Sequence, residues 1–301
     1  MGKKTKIAVA IAAAGAAAWA STKAIATPQR RDSKTALEYD RPIVLAHRGG
    51  SHLAPEQTMA AFKNAAALGV DGFEIDIRLT KDEEIVVFHD EYVDRTSEGS
   101  GRIADMTLAQ LQELNFGHQF VDLEGQFAYR DTPERIVTLK ELFTAFPSLF
   151  INIDMKDAPD TYEGGLMPSK LWRLLEECDA KERVVITSFH DEQIDRFNLY
   201  AQNSVALGAG KNEVTKAYTA FTSQFKHLYN PKVDVFQIPR NFGNVIALDT
   251  KSFIHFLDQL NIPAHYWTIN DPLEMKELIN RGARGIVTDR PDIAMQIINE
   301  A

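Results

Sequence analysis

The feature that most limits what this chain can fold into is an alternation. From Pro42 onward, short apolar runs alternate with stretches of helical periodicity. The runs are Ile43–Ala46, Phe73–Ile77, Leu149–Asp154, Val184–Ser188, Val205–Leu207, Val235–Ile238, Ala264–Thr268 and Gly285–Thr288, eight in all. Runs this short, separated by helix-length connections, read as parallel strands, because a parallel pair needs a crossover of a dozen or more residues. The connections carry helix signals of their own. Met59, Phe62 and Ala66 form an apolar stripe, as do Phe253, Phe256, Leu257 and Leu260. Thr138-Leu139-Lys140-Glu141 and Asp271-Pro272-Leu273-Glu274 read as capping boxes, and Gly69 and Gly282 as helix stops. Eight strand–helix units in one run predict an α/β fold, a closed (β/α)8 barrel over residues 42–301. One connection, Glu91–Val137, is too long for a loop and holds a short helix signal at Thr107–Leu114. It reads as an insertion (91–137) on the functional rim.

Within this frame one stretch, Gly72–Asp90 (GFEIDIRLTKDEEIVVFHD), is built differently. Its two apolar runs, Phe73–Leu79 and Ile85–Phe88, are joined by only Lys81–Glu84, so they form an antiparallel hairpin. Folding it about the Asp82–Glu83 bond places His89 opposite Asp76. Glu74 and Asp76 are two apart and leave the same face, with Phe73, Ile75 and Ile77 on the other. Two carboxylates and an imidazole are the raw material of a metal site with an acid/base beside it. An ordinary half-buried strand with a solvated acid face carries the same alternation, so the hairpin alone decides nothing.

The rest of the rim adds weight. In such barrels the chemistry collects at the C-terminal ends of the strands. The first run ends in Ala46-His47-Arg48-Gly49-Gly50, whose glycines let backbone approach a ligand, and the third ends in Asp154-Met155-Lys156. Trp267, at the end of the seventh, is placed to wall a pocket. Three acids (Glu74, Asp76, Asp154), two histidines (His47, His89) and two cations (Arg48, Lys156) thus converge. Oxygen ligands suit one hard divalent cation, Ca2+ or Mg2+, which together with Arg48 and Lys156 would neutralise a phosphoryl group. The sole cysteine, Cys178, excludes an intrachain disulfide and a cysteine metal cluster, and its spacing from Leu171, Leu174 and Leu175 makes it a core thiol.

The N-terminus stands apart from the barrel. Lys3, Lys4 and Lys6 precede the apolar run Ile7–Ala20, which is shorter than the roughly 20 residues of a membrane span. With Ala24-Ile25-Ala26 as a small-residue cleavage site before Thr27, residues 1–26 read as a signal peptide or a membrane anchor. Either places the catalytic part outside the cytoplasm, and an anchor gives membrane association through the N-terminus. The polar segment 27–41 reads as a flexible linker. Without residues 1–26 the chain has 29 basic and 42 acidic residues, a formal charge of −13. Nucleic acid is excluded as a partner, since phosphate contacts need clustered Lys and Arg.

The blocks LAHRGGSHLAPEQTMAAF, GVDGFEIDIRLTKDEEIVVFHDEYVDRTSEGSG, INIDMK, ITSF, YWTIN and GARGIVTDRP resemble, in order, those of the glycerophosphodiester phosphodiesterase family, and cover nearly all of 42–298. The resemblance implies a (β/α)8 enzyme that uses a divalent cation to hydrolyse glycerophosphodiesters to sn-glycerol 3-phosphate and an alcohol. Two histidines would work in turn through a cyclic phosphate. By the family pattern His47 and His89 match the acid/base pair, and Glu74 and Asp76 the metal ligands. Arg48 and Lys156 match the phosphate contacts, and Trp267 an aromatic near the glycerol. Asp154 stands where the family usually carries a third, glutamate ligand, one methylene longer; Glu56 falls near the metal shell. Gln57 replaces a common Asn, a change expected to touch loop geometry more than chemistry. An alternative is a lysophospholipase D-like or phosphoinositide-type activity on lipids. Its tail groove would come from Phe116, Phe120, Phe127 and Tyr129 of the insertion, unless these form the insertion's own small core. A non-catalytic envelope protein is a third reading, against which the complete set of histidines and acids stands.

Overall fold

A computed structural model describes residues 2–26, 29–243 and 245–300. The barrel strands, first to eighth, are Ile43–His47, Gly72–Leu79, Phe150–Met155, Val184–Thr187, Ala206–Leu207, Phe236–Ile238, Ala264–Tyr266 and Gly285–Thr288. They pair in the order fifth, fourth, third, second, first, eighth, seventh, sixth. A parallel bridge between Gly208 and Val235, which extend the fifth and sixth strands, closes the circle. Each expected strand is present, with ends shifted by a residue or two.

Register decides which side chains meet inside. His47 is level with Glu74, and Glu74 with Asn152. One step up, Asp76 is level with Asp154, and Asp154 with Thr187. Side chains alternate along a strand. Ile43 and Leu45 therefore share the interior face with His47 and pack with Val287, while Val44 and Ala46 join the outer layer with Phe62, Phe73, Ile75 and Ile77. The interior is thus apolar at the strand starts and charged at the strand ends.

The helices follow their sequence signals. Thr58 caps Met59–Ala67 by accepting from Ala61 N–H, and Thr138 with Glu141 forms a capping box. Asp271 caps Pro272–Arg281 through the N–H groups of Leu273 and Glu274. That cap is not a box, because the Glu274 carboxylate is drawn away by Arg240 at 2.8 Å. Gly69 and Gly282 take φ of +79° and +103°, as stops do. Cys178 is half-buried against the core beyond the last turn of Tyr162–Glu177.

The hairpin is present, but its register is one residue away from the expected one. Ile77 pairs with Val87 and Leu79 with Ile85, so Phe88, not His89, lies opposite Asp76. The loop closes between Thr80 and Glu84, and Glu83 adopts φ +61°. An odd, three-residue loop of this kind shifts the pairing by one. The insertion begins beyond His89 and returns as Val137–Thr138, antiparallel to Val86–Val87. Its own core gathers Val86, Phe88, Val93, Ile103, Leu111, Phe116 and Ile136.

The segment expected as a flexible linker is packed over residues 29–41, and this corrects the reading from its polarity. Ala36 and Leu37 pack on Val185, Ala206 and Val235, and Tyr39 on Ile43, Leu45 and Val287, sealing the barrel where its strands begin. The Tyr39 hydroxyl lies 2.6 Å from Nε2 of buried His265, and Arg31 pairs with Asp234 at 2.8 Å. The first two residues of that segment, Thr27 and Pro28, lie outside the described residues, and so does the far side of the expected cleavage site. Lys3–Ile25 is one helix, tied to the domain by the Trp19 indole donating to the Gln224 carbonyl at 3.0 Å. Among the described residues, no helix is long and apolar enough to cross a membrane.

Candidate active site

The strand ends open into a cleft of about 690 Å3 whose floor is formed by His47, Arg48, Glu74, Asp76, His89, Asp154 and Lys156, with Trp267 on its wall. Every sequence-derived site residue except Glu56 therefore lines one cavity. Asp76 is 1% exposed, Glu74 9% and Asp154 8%. Three buried carboxylates so close together demand positive charge.

Part of it comes from Lys156, whose Nζ lies 2.7 Å from Asp76 Oδ1 and 2.7 Å from Asp154 Oδ2. Arg48 approaches Asp76 from the other side, with Nε 3.4 Å from Oδ2. Despite burial, these cations hold the Asp76 carboxyl below its ordinary range. Glu74 is less well served: burial first, and then the Asp76 charge, push it up to about 7. Burial likewise raises Asp154, only partly offset by Lys156.

Glu74 Oε2, Asp154 Oδ1 and Asn152 Oδ1 are buried acceptors with no hydrogen-bond partner among the described residues. Unpaired buried oxygens of this kind, on carboxylates and an amide, are the donor set a hard divalent cation takes. Among the described residues no three His, Cys, Asp or Glu side chains stand in ligating geometry, and Lys156 fills the gap between the two aspartates. The donor chemistry fits such a cation.

The two histidines are held differently. His47 Nδ1 lies 2.6 Å from Asp289 Oδ1, leaving Nε2 3.7 Å from Glu74 Oε2. Burial opposes charge on this ring, but the Asp289 hydrogen bond and the Glu74 charge outweigh it and raise its pKa. His89 Nδ1 lies 2.6 Å from Asp90 Oδ1, and Arg95 Nε donates to the same carboxylate at 2.6 Å. Burial lowers the His89 pKa, and the Arg48 charge adds to that. The chain turns after Phe88 and brings the ring into the cleft despite the shifted register. Arg78 fixes the turn by donating to the His89 carbonyl at 2.9 Å and to Asp157 at 2.9 Å.

Glu56 reaches the carboxylates only through Arg48, which donates to it at 2.9 Å, and pairs in bidentate fashion with Arg95. Gln57 does more than shape its loop. Its buried amide donates to Asp76 Oδ2 at 2.6 Å from a backbone at φ +61°. Gly49 and Gly50, expected to admit a ligand, are needed for packing instead. At φ +84° and +91°, a Cβ on them would meet Ala61 at 2.8 Å and Pro291 at 2.9 Å. In the insertion, Phe116 packs on Phe88 within the local core, Phe120 meets Tyr129 edge to face, and Phe127 is exposed beneath Arg130; none of the four lines the cleft.

Asp289, Asn152 and Arg78 were missed. Asp289 had a legible signal, because it lies two residues beyond interior Val287, on the same face at the strand's end. It accepts from Ser51 at 2.6 Å and Asn270 at 2.8 Å as well as holding His47, and these partners keep its carboxyl strongly ionised.

A family model described as the glycerophosphoryl diester phosphodiesterase family matches residues 47–293. A glycerophosphodiester phosphodiesterase of Caldanaerobacter subterraneus subsp. tengcongensis is 31% identical over 262 residues, covering 86% of this chain and 99% of that one. One from Bacillus subtilis is 28% identical over 280 residues, covering 89% and 90%. Among solved structures, a glycerophosphoryl diester phosphodiesterase domain from Mycobacterium tuberculosis superposes with a TM-score of 0.73 at 20% identity, covering 85% of this chain and 99% of that one. A phosphodiesterase of Oleispira antarctica in complex with the product sn-glycerol-3-phosphate gives 0.64 at 24% identity, covering 86% and 97%.

Proposed function

Since this chain belongs to the glycerophosphoryl diester phosphodiesterase family and is such an enzyme, we propose that it cleaves glycerophosphodiesters to sn-glycerol 3-phosphate and an alcohol, using a divalent cation and two histidines. The observation that carries this reading is that His47 and His89 line one cleft with three buried carboxylates, Arg48 and Lys156. The product held by the Oleispira antarctica neighbour agrees with it.

Glu74, Asp76 and Asp154 would hold Ca2+ or Mg2+, which when bound supplies Lewis-acid polarisation of a phosphoryl oxygen. Arg48 and Lys156 orient the phosphate and offset its charge. His47, steadied through Nδ1 by Asp289, takes the proton of the glycerol 2-hydroxyl at Nε2. That hydroxyl attacks phosphorus and closes a cyclic phosphate. His89, steadied by Asp90, gives a proton to the departing alcohol, and the roles reverse as water opens the ring.

The test is His47→Ala and His89→Ala. Each should cost about 10²–10⁴-fold in turnover while circular dichroism and melting temperature stay near wild type. Turnover close to wild type in either variant overturns the assignment. An extracytoplasmic location, secreted or anchored at a membrane by residues 1–26, belongs to the same proposal. It is supported by Lys3, Lys4 and Lys6 standing before the apolar run Ile7–Ala20.

A further inference from the structure

The two histidines stand on carboxylates that are themselves held very unequally. Asp289, behind His47, also accepts from Ser51 and Asn270. Asp90, behind His89, has one other hydrogen-bond partner among the described residues, the Arg95 guanidinium, whose Nε donates to Oδ2 at 2.6 Å. The Asp90 side chain is 25% exposed. A carboxylate that follows its histidine in sequence and opens to water keeps many rotamers unless something outside holds it.

Arg95 is itself held at both ends. Its Nη1 and Nη2 donate to Glu56 Oε2 and Oε1, each at 2.8 Å, and this fork fixes the plane of the guanidinium. Its backbone closes the short turn Val93–Arg95, and Val93 is fully buried in the core of the insertion. The Val93 N–H donates to the Gly101 carbonyl at 3.0 Å and pins that turn. The insertion thus carries a cation to the rim and aims it at the carboxylate behind one imidazole. Exposed ion pairs contribute little to stability, and the Arg95 side chain is 49% exposed. What three charge-assisted hydrogen bonds supply here is direction.

We propose that Arg95 is a positioning residue for the acid step: held by Glu56, it fixes Asp90, and Asp90 fixes the tilt of His89 towards the departing oxygen. This inference rests on the phosphodiesterase reading above, with His89 as the acid. Without Arg95 the imidazole is still present, but Asp90 and the ring turn freely and the proton reaches the leaving alcohol less often. An alcohol that departs without a proton is indifferent to that change. Arg48 makes its own contacts with Glu56 and Asp76, so the hold on phosphate does not run through Arg95.

The experiment compares glycerophosphocholine with the p-nitrophenyl ester of glycerol 3-phosphate, whose nitrophenolate leaves unprotonated, on the full chain with added divalent cation. The readout is kcat/KM, which covers the steps up to departure of the leaving group and not the ring opening that follows. Arg95→Met should lower it at least about tenfold for glycerophosphocholine, a share of the roughly 10²–10⁴ that a placed acid supplies, and less than about threefold for the nitrophenyl ester. His89→Ala should show the same split more deeply, and adding Arg95→Met to it should cost less than about threefold more. Arg95→Lys keeps the charge but cannot make the fork; it should show the split too, and it carries the test if Arg95→Met melts early. Equal losses on the two esters, no loss on either, or full additivity with His89→Ala overturns the Arg95 inference alone. Hydrolysis of neither ester by the wild type overturns the phosphodiesterase reading with it.

Discussion

His47 Nδ1 and Asp289 Oδ1 stand 2.6 Å apart, at the ends of the first and eighth barrel strands, which lie side by side. The contact spans almost the whole sequence and exists because the barrel closes. It fixes both the tautomer and the tilt of the ring, leaving Nε2 turned towards Glu74, 3.7 Å away. Asp289→Asn keeps the size of the side chain but removes the charge. It should lower kcat by about 10²-fold or more, with KM changed little and the melting temperature within a few degrees of wild type. A loss confined to KM would show that Asp289 acts on substrate binding instead.

Gln57 offers a sharper probe of the carboxylate cluster. Its amide hydrogen bond to Asp76 leaves the other Asp76 oxygen to Lys156. Gln57→Gly retains the left-handed backbone conformation and deletes only the side chain. Removing a partner that orients a metal-binding carboxylate commonly costs 10–100-fold in affinity. The cation concentration for half-maximal activity should rise by about that factor, with kcat at saturating cation largely kept. An unchanged cation requirement would separate Gln57 from the cation site.

His265 gives a pH signature unrelated to catalysis. It is fully buried against Tyr39, and burial, with the Arg284 charge adding, pushes its pKa down to about 3. In the unfolded chain it titrates near 6.5, so between those values the unfolded state binds the extra proton. The associated stability is complete above about pH 6.5 and is lost as pH falls towards 3, roughly 3 kcal/mol by pH 4. His265→Gln cannot take up that proton. Denaturant melts at pH 7 and pH 4 should therefore differ less for the variant than for wild type. Equal pH slopes would contradict the buried neutral imidazole.

Much of this was legible in sequence because strand periodicity and strand ends do most of the work. Glu74, Asp76 and Asp154 share the interior because each lies an even number of residues from an inward neighbour, and register then makes Asp76 and Asp154 level. The hairpin was read one residue out because nothing in Lys81-Asp82-Glu83-Glu84 marks Glu83 as the left-handed residue. The plug of Ala36, Leu37 and Tyr39 was hidden by its polar neighbours: three apolar side chains in a charged segment have no periodicity to reveal them. The brace of Arg95 joins the insertion to Glu56 in the loop after the first strand, and no local pattern announces such a contact.

The proposed mechanism needs a divalent cation held by Glu74, Asp76 and Asp154 beside the two histidines. The most direct measurement is release of glycerol 3-phosphate from glycerophosphocholine by chelator-stripped enzyme, before and after adding Ca2+ or Mg2+ singly, for wild type and Asp76→Asn. Release should be negligible without cation, return with at least one ion in the wild type, and not return in Asp76→Asn. Full turnover by the stripped wild type, or full recovery of Asp76→Asn at the wild-type cation concentration, would contradict it.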